Sequence, residues 1–237
     1  MYRIMNSFLK FFNFHRSLNF KGIQYNLKCY SPEENVSVLD MVLEEYRRKR
    51  KFSNTPEPNG SQEERDGLLI FVVQKHLSSH LHYDFRMEFK GVLISWAIPK
   101  GLSLNPMDKR LAMMVEDHPL DYKDFEGVIP EGNYGAGTVM IWDMGTYHVP
   151  MIFDRNNIEE KIKSGIKDGH ITFILDGKKL KGEFALIRLK KSKEDNAWLL
   201  IKKDDEFASD AGIAEDDHSV VSGRSLDEIK AKNNNKN

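Results

Sequence analysis

Residues Leu81–Phe89, LHYDFRMEF, alternate without a break: Leu81, Tyr83, Phe85, Met87 and Phe89 are apolar, while His82, Asp84, Arg86 and Glu88 all ionise. Successive side chains of a β-strand point to opposite faces. A period of two therefore commits this stretch to a strand with one face in a hydrophobic core and a row of imidazole, carboxylate and guanidinium on the other. Solvated sheet faces favour Lys, Glu and Thr. His-x-Asp-x-Arg is instead the chemistry of metal and phosphate ligands. Glu88, the fourth member of the row, has no role in such a site and is expected to face solvent.

The surrounding sequence supplies partners for this strand. Residues 68–74, LLIFVVQ, have the β-branched and aromatic content of a buried strand. Lys90-Gly91 predicts a tight hairpin into VLISWAIP, and LAMMVEDH at 111–118 predicts another strand. Residues 119–137 are irregular and rich in Gly, Pro and Asp, as long functional loops are. TVMIWDMGTYHVP is expected to bend at Met144-Gly145, and Asp176-Gly177 to turn a further hairpin before NAWLLIKK closes the sheet. Helical spacing is confined to residues 37–51, whose end carries Arg47, Arg48, Lys49, Arg50 and Lys51, to 157–166 with Gly165 as the expected C-cap, and to a short exposed stretch at 223–232, GRSLDEIKAK. Many short strands with few helices and no strand–helix alternation predict a mainly β fold, a compact antiparallel barrel with a few short flanking helices. No Walker-type or GxGxxG loop is present.

Composition narrows the partners. A formal net charge of -1 over 237 residues gives no global basic field, so a nucleic-acid contact must be local, at an end or in a short groove. Cys29 is the single cysteine, which excludes an internal disulfide framework and a thiolate zinc site; reducing, cytoplasmic surroundings are expected. The first thirty residues carry Arg3, Lys10, Arg16, Lys21 and Lys28 and no acidic residue. They resemble an organellar presequence or a membrane-surface segment, or are an empty extension from an upstream start, and their apolar run is too short to span a bilayer. The division expected is a basic, disordered extension at 1–36, one domain at 37–229 and a disordered polar tail at 230–237.

His82 and Asp84 lie about 6.5–7 Å apart along one strand face and can reach one ion. His76, one short turn earlier, can complete a two-histidine, one-carboxylate set; His80 competes with it. Nitrogen and oxygen donors without thiolate suit Mn, Fe or Zn. Arg86, Lys100, Arg110 and His118 fall at strand ends as anion partners. This suits phosphoryl transfer, with His118 protonating the leaving oxygen and Tyr122 bonding a phosphate. Two alternatives remain open: a non-haem iron oxygenase whose distal histidine is His118 or His170, and a module that binds nucleic-acid ends without cleaving them.

Residues 71–147, FVVQKHLSSHLHYDFRMEFKGVLISWAIPKGLSLNPMDKRLAMMVEDHPLDYKDFEGVIPEGNYGAGTVMIWDMGTY, resemble the 3′-phosphoesterase domain of bacterial DNA ligase D, and the likeness extends more loosely from about Leu39 to Ile229. The resemblance implies a compact β-barrel enzyme that uses manganese to process DNA or RNA-tipped DNA 3′ ends. It would remove a terminal ribonucleoside and then the remaining 3′-phosphate. It places the metal ligands on His76, His82 and Asp84, and the phosphate and catalytic groups on Arg86, Lys100, Arg110, Glu116, His118 and Tyr122, with Gln74 nearby. Glu116 enters through the resemblance alone. The arm RKRKFSNTPEPNG implies Arg50 and Glu57 for the diesterase step, but Lys51 stands where the family typically has Asp. Without a ligase or polymerase domain in this sequence, the expected partners are a separate DNA ligase and end-joining factors, and no membrane.

Overall fold

The computed structural model describes residues 17–20, 23–26, 42–60, 66–190, 192–210, 213 and 217–234. The chain divides into two units, residues 1–36 and 37–237. In the first, β1 (Ser17–Phe20) and β2 (Ile23–Asn26) pair antiparallel. The rest of the expectation for 1–36 lies outside the described residues.

The second unit is a closed barrel of eight antiparallel strands. They are β3 (Ile70–Leu77), β4 (Leu81–Phe89), β5 (Val92–Ile98), β6 (Arg110–Pro119), β8 (Gly137–His148), β9 (His170–Gly177), β10 (Lys181–Arg188) and β11 (Ala197–Lys202), with β7 (Gly127–Ile129) added beside the start of β8. The order runs β3-β4-β5-β6-β11-β10-β9-β8, and pairing of β3 with β8 closes the ring. Closure leaves no edge among these eight strands for a foreign strand to join. Three short helices flank the barrel: α1 (Glu44–Arg48), α2 (Arg155–Asp168) and α3 (Leu226–Asn234). Among the described residues no helix is long and apolar enough to cross a membrane.

The alternation in β4 is realised as expected on its apolar side. Phe85, Met87 and Phe89 enter the barrel interior with Phe71 and Val73 of β3, Ile94 and Trp96 of β5, and Phe173, Phe184 and Trp198 from the far wall. Phe85 sits directly across from Trp96 and stacks on Phe173 with ring centroids 5.6 Å apart. Each such buried side chain stabilises the fold by about 1.5–3 kcal/mol relative to exposure.

Outside the barrel lies a second apolar cluster. Tyr46 of α1, Leu120 and Tyr122 of a 3-10 turn (Leu120–Asp124), Phe125 and Ile129 cover Val72, Leu93, Val139 and Ile141 on the barrel's outer surface. This cover puts the ionisable row of β4 in a buried layer, not in solvent. Asp84 and Arg86 are 7% and 3% exposed.

Several expectations are corrected. Glu88 is fully buried: it pairs with Arg155 Nη2 at 2.7 Å and accepts the Ile70 amide at 3.2 Å. Met144-Gly145 is no bend, because β8 runs straight through it. Gly145 is needed for close approach, since a Cβ there would lie 2.1 Å from the Asp176 carbonyl. The turn after Asp176-Gly177 falls at residues 178–180, where Asp143 accepts the amides of Lys178, Lys179 and Leu180 at 2.8–3.0 Å. Helix α2 passes Gly165 and is capped by Gly169 at φ 78. Helix α3 extends to Asn234 and buries Leu226 and Ile229, so the polar tail is helical as far as it is described. Lys90 and Gly91, both at positive φ, form the tight hairpin that the sequence predicts.

Candidate metal and phosphate site

The strand register assembles the site. His76 lies opposite His82, Gln74 opposite Asp84 and Val72 opposite Arg86 across β3 and β4, while Ser95 of β5 lies opposite Arg86. Directly opposed residues share a sheet face, so β3, β4 and β5 present His76, His82, Asp84, Gln74, Arg86 and Ser95 together on the barrel's outer wall.

The ligand atoms of His76, His82 and Asp84 all lie within 4.8 Å of one another. His76 Nδ1 is 3.7 Å and His82 Nε2 3.8 Å from Asp84 Oδ2. These gaps are wider than hydrogen bonds, and they suit three donors converging on an ion with bonds of about 2.1 Å. The outer nitrogens fix the tautomers. His76 Nε2–H donates to the Gly135 carbonyl at 3.0 Å, and His82 Nδ1–H donates to the His80 carbonyl at 3.0 Å. Each ring therefore turns a lone pair towards Asp84, as metal-bound histidines do. Burial alone would raise the Asp84 carboxyl, but Arg86 and the two imidazoles hold it below the usual carboxylate range. The donor set thus fits a divalent cation. His80 contributes its carbonyl while its ring is exposed. His118 and His170, the distal histidines of the oxygenase alternative, are not in the group.

Arg86 links this group to the barrel wall. Its Nε donates to Gln74 Oε1 at 2.7 Å, Nη1 to Ser95 Oγ at 2.9 Å and Nη2 to Asp84 Oδ2 at 3.1 Å. Gln74 is itself locked, donating to the carbonyls of Tyr122 and Phe125 at 3.1 and 2.9 Å. A guanidinium has five N–H donors, so two remain for a ligand.

A second layer comes from the arm at residues 42–60 and from the end of β6. A bulge between Leu93 and Ser95 against β6 brings His118 opposite Leu93. His118 packs edge-on against Tyr46 and Tyr122, with centroids 5.1 and 4.9 Å away. Its Nδ1–H donates to the Glu116 carbonyl at 2.9 Å, and Nε2 faces Arg50 Nη2 at 3.3 Å. Burial, then the charges of Arg86 and Arg50, push its pKa well below the ordinary histidine value, so the ring is neutral. Arg50 Nε pairs with Glu57 at 2.8 Å, and its Nη1 reaches Glu116 at 3.4 Å. Tyr122, expected to bond a phosphate, donates its hydroxyl to Glu57 at 3.0 Å. Burial and the Glu57 charge push that hydroxyl well above its ordinary range. Lys49 pairs with Glu116 at 3.0 Å; burial alone would raise the Glu116 carboxyl, but a hydrogen bond from its own backbone, then Lys49 and Arg50, hold it low.

Ten of the twelve expected site residues therefore form one connected layer. Lys100 and Arg110 instead line a cleft of about 290 Å³ with Tyr83, Trp142 and Asp108, where Arg110 Nη2 pairs with Asp108 at 2.7 Å. Neither is joined to the histidine–aspartate group by a hydrogen bond or ion pair among the described residues. Residues that the sequence did not single out include Ser95, Thr55, which donates to Glu57 at 2.9 Å, and Gly135. Their contributions depend on tertiary placement, and only the irregularity of 119–137 hinted at the last.

Residues 74–188 match the DNA Ligase D 3′-phosphoesterase domain family, and this range contains the whole histidine–aspartate group and Arg86. These residues belong to the DNA ligase D 3′-phosphoesterase family. Among curated proteins, the multifunctional non-homologous end joining protein LigD of Pseudomonas aeruginosa is 47% identical over 190 residues, covering 78% of this chain and 22% of that protein. The multifunctional non-homologous end joining DNA repair protein LigD of Mycobacterium tuberculosis is 45% identical over 148 residues, covering 62% and 18%. LigD of Mycolicibacterium smegmatis is 41% identical over 150 residues, covering 62% and 19%. The chain thus spans about a fifth of the length of these LigD proteins. Of the expected site residues, Arg50 and Glu57 alone fall outside the family range.

Proposed function

We propose that this LigD-type domain is a phosphoesterase that processes the 3′ ends of DNA, including RNA-tipped ends, with Mn²⁺ held by His76, His82 and Asp84. The observation that carries the reading is the Arg86–Asp84 contact at 3.1 Å. One buried guanidinium touches the candidate metal group and keeps two donors, so a phosphate can be gripped by both at once. The LigD relatives are named for non-homologous end joining, which supports the same substrate class. When bound, the ion supplies Lewis-acid neutralisation of charge on the phosphate.

The protein's own groups do the remaining work. Arg86 orients the phosphate, and Gln74 and Ser95 fix its guanidinium plane, so little reorganisation accompanies binding. In the free protein His118 is a neutral acceptor. A phosphate dianion beside Arg86 and Arg50 offsets the positive charges that depress it, which raises its proton affinity and lets it deliver a proton to the leaving oxygen. Glu57 gathers Arg50, Tyr122 and Thr55, positioning the arm over the site. Arg50 and Glu57 serve the removal of a terminal ribonucleoside, while Lys100 and Arg110 serve phosphate binding from their own cleft. Because Lys51 is exposed and basic where the family typically has Asp, release of a 3′-phosphate is the stronger activity. A separate DNA ligase and end-joining factors would take over the processed ends, in the cytoplasm.

A primer-template with one 3′-terminal ribonucleotide, incubated with protein and Mn²⁺, tests the proposal. Shortening to a 3′-phosphate and then to a 3′-hydroxyl is expected. A strand that stays intact, along with an intact 3′-phosphate control, would overturn it.

A further inference from the structure

Beside the site stands an aromatic ring that the chemistry above leaves unused. Tyr134 is 50% exposed, yet the loop that carries it is firmly held. Asn133 Nδ2 donates to the Pro130 carbonyl at 3.0 Å and to the Asn54 carbonyl of the arm at 3.3 Å, and the Ala136 amide donates to the Asn133 carbonyl at 3.2 Å. The next residue, Gly135, supplies the carbonyl that aims His76. Lys49 Nζ lies 4.8 Å and Arg50 Cζ 5.7 Å from the ring centroid, and Lys49 Nζ also approaches the Tyr134 hydroxyl at 3.5 Å. The ring is thus a rigidly mounted apolar plate, one residue from the support of the metal group and braced by Lys49 and Arg50, whose own charges are taken up by Glu45, Glu57 and Glu116.

We infer that Tyr134 is the stacking platform for the base of the 3′-terminal nucleotide, an inference that rests on the end-processing reading. Arg86 touches Asp84, and the loop's Gly135 carbonyl holds His76 of the same group, so the ring stands beside the site where a terminal phosphate would sit. Base–aromatic stacking tolerates any base because every base has a π-face, which suits an activity on ends of arbitrary sequence. Arg86 then holds the phosphate while the ring holds the base. The site should therefore favour ends with an intact terminal base over ends without one.

The test uses two oligonucleotides bearing a 3′-phosphate, one with a normal terminal nucleotide and one with an abasic terminal sugar, and measures Mn²⁺-dependent phosphate release. For Tyr134→Ala, KM for the normal end is expected to rise about tenfold, with kcat and the abasic KM unchanged. Tyr134→Phe should behave as wild type, and Tyr134→Leu, which keeps apolar bulk without a π-face, should behave as the alanine variant. Equal KM values for wild type and Tyr134→Ala on the normal end, or equal losses on both ends, would overturn the inference while leaving the end-processing reading intact. If wild type releases phosphate from neither strand, the end-processing reading fails and the inference with it.

Discussion

His118 should make the fold acid-sensitive in a window that no paired carboxylate shares. The ring is 4% exposed; burial, Arg86 and Arg50 all oppose its protonation. A histidine is protonated in the unfolded chain below about pH 6.5, whereas this one stays neutral when folded. Below that pH the unfolded state binds one more proton than the native state. Its stabilising contribution is therefore present above about pH 6.5 and is lost as pH falls, at about 1.4 kcal/mol per unit. Between pH 6.5 and 5.0 the loss has a ceiling of about 2 kcal/mol, set by a ring that takes up no proton while folded. Asp84 and Glu116, also held low, act in the same direction, but unfolded carboxyls titrate near pH 4, below this interval, and comparison with His118→Gln separates this ring from the other histidines. Urea unfolding of metal-stripped protein, followed by tryptophan fluorescence at pH 7.5 and 5.0, measures the effect. Wild type should lose more stability than His118→Gln between the two conditions, by up to about 2 kcal/mol. Equal losses would refute the reasoning, whatever the absolute stability of the variant.

Three further outcomes are expected. Glu88→Ala leaves Arg155 and the Ile70 amide without their buried partner and should cost about 2–4 kcal/mol; a change below about 0.5 kcal/mol in urea unfolding at pH 7.5 would show that the pair carries no such weight. Gly135→Ala forces a side chain onto a residue at φ 74 and disturbs the carbonyl that holds His76, so Mn²⁺ affinity by calorimetry should fall about tenfold, and an unchanged affinity would contradict the tautomer account. Lys51→Asp should raise ribonucleoside removal relative to 3′-phosphate release on the same primer; a constant ratio would mean that this position does not limit the diester step.

The period-two pattern of β4 was enough to place a core face and a site face, because strand geometry leaves no third option. What it could not convey was the cover. Glu88 reads as a solvated residue in the local sequence, and its partner, Arg155, begins a helix 67 residues later. Met144-Gly145 reads as a turn because glycine is common in turns, but here its missing Cβ lets two strands approach. Within the site, His82 and Asp84 follow from spacing, and His76 from one short turn. Glu57 and Arg50 gain their meaning only when α1 packs Tyr46 against His118, a contact between segments about seventy residues apart that no periodicity encodes. Tyr122 is expected from sequence to bond a phosphate, whereas its hydroxyl donates to Glu57, a partner on that same distant arm.

We propose that His76, His82 and Asp84 hold the ion that drives 3′-end hydrolysis. It is tested most directly by stripping the protein of metal, titrating Mn²⁺ back and following phosphate release from a 3′-phosphorylated primer, with His82→Ala measured alongside. No release is expected without metal, with saturable recovery in wild type and a rate lower by at least about a hundredfold in the variant. Release by the stripped protein, or a correctly folded His82→Ala protein working at the wild-type rate, would contradict it.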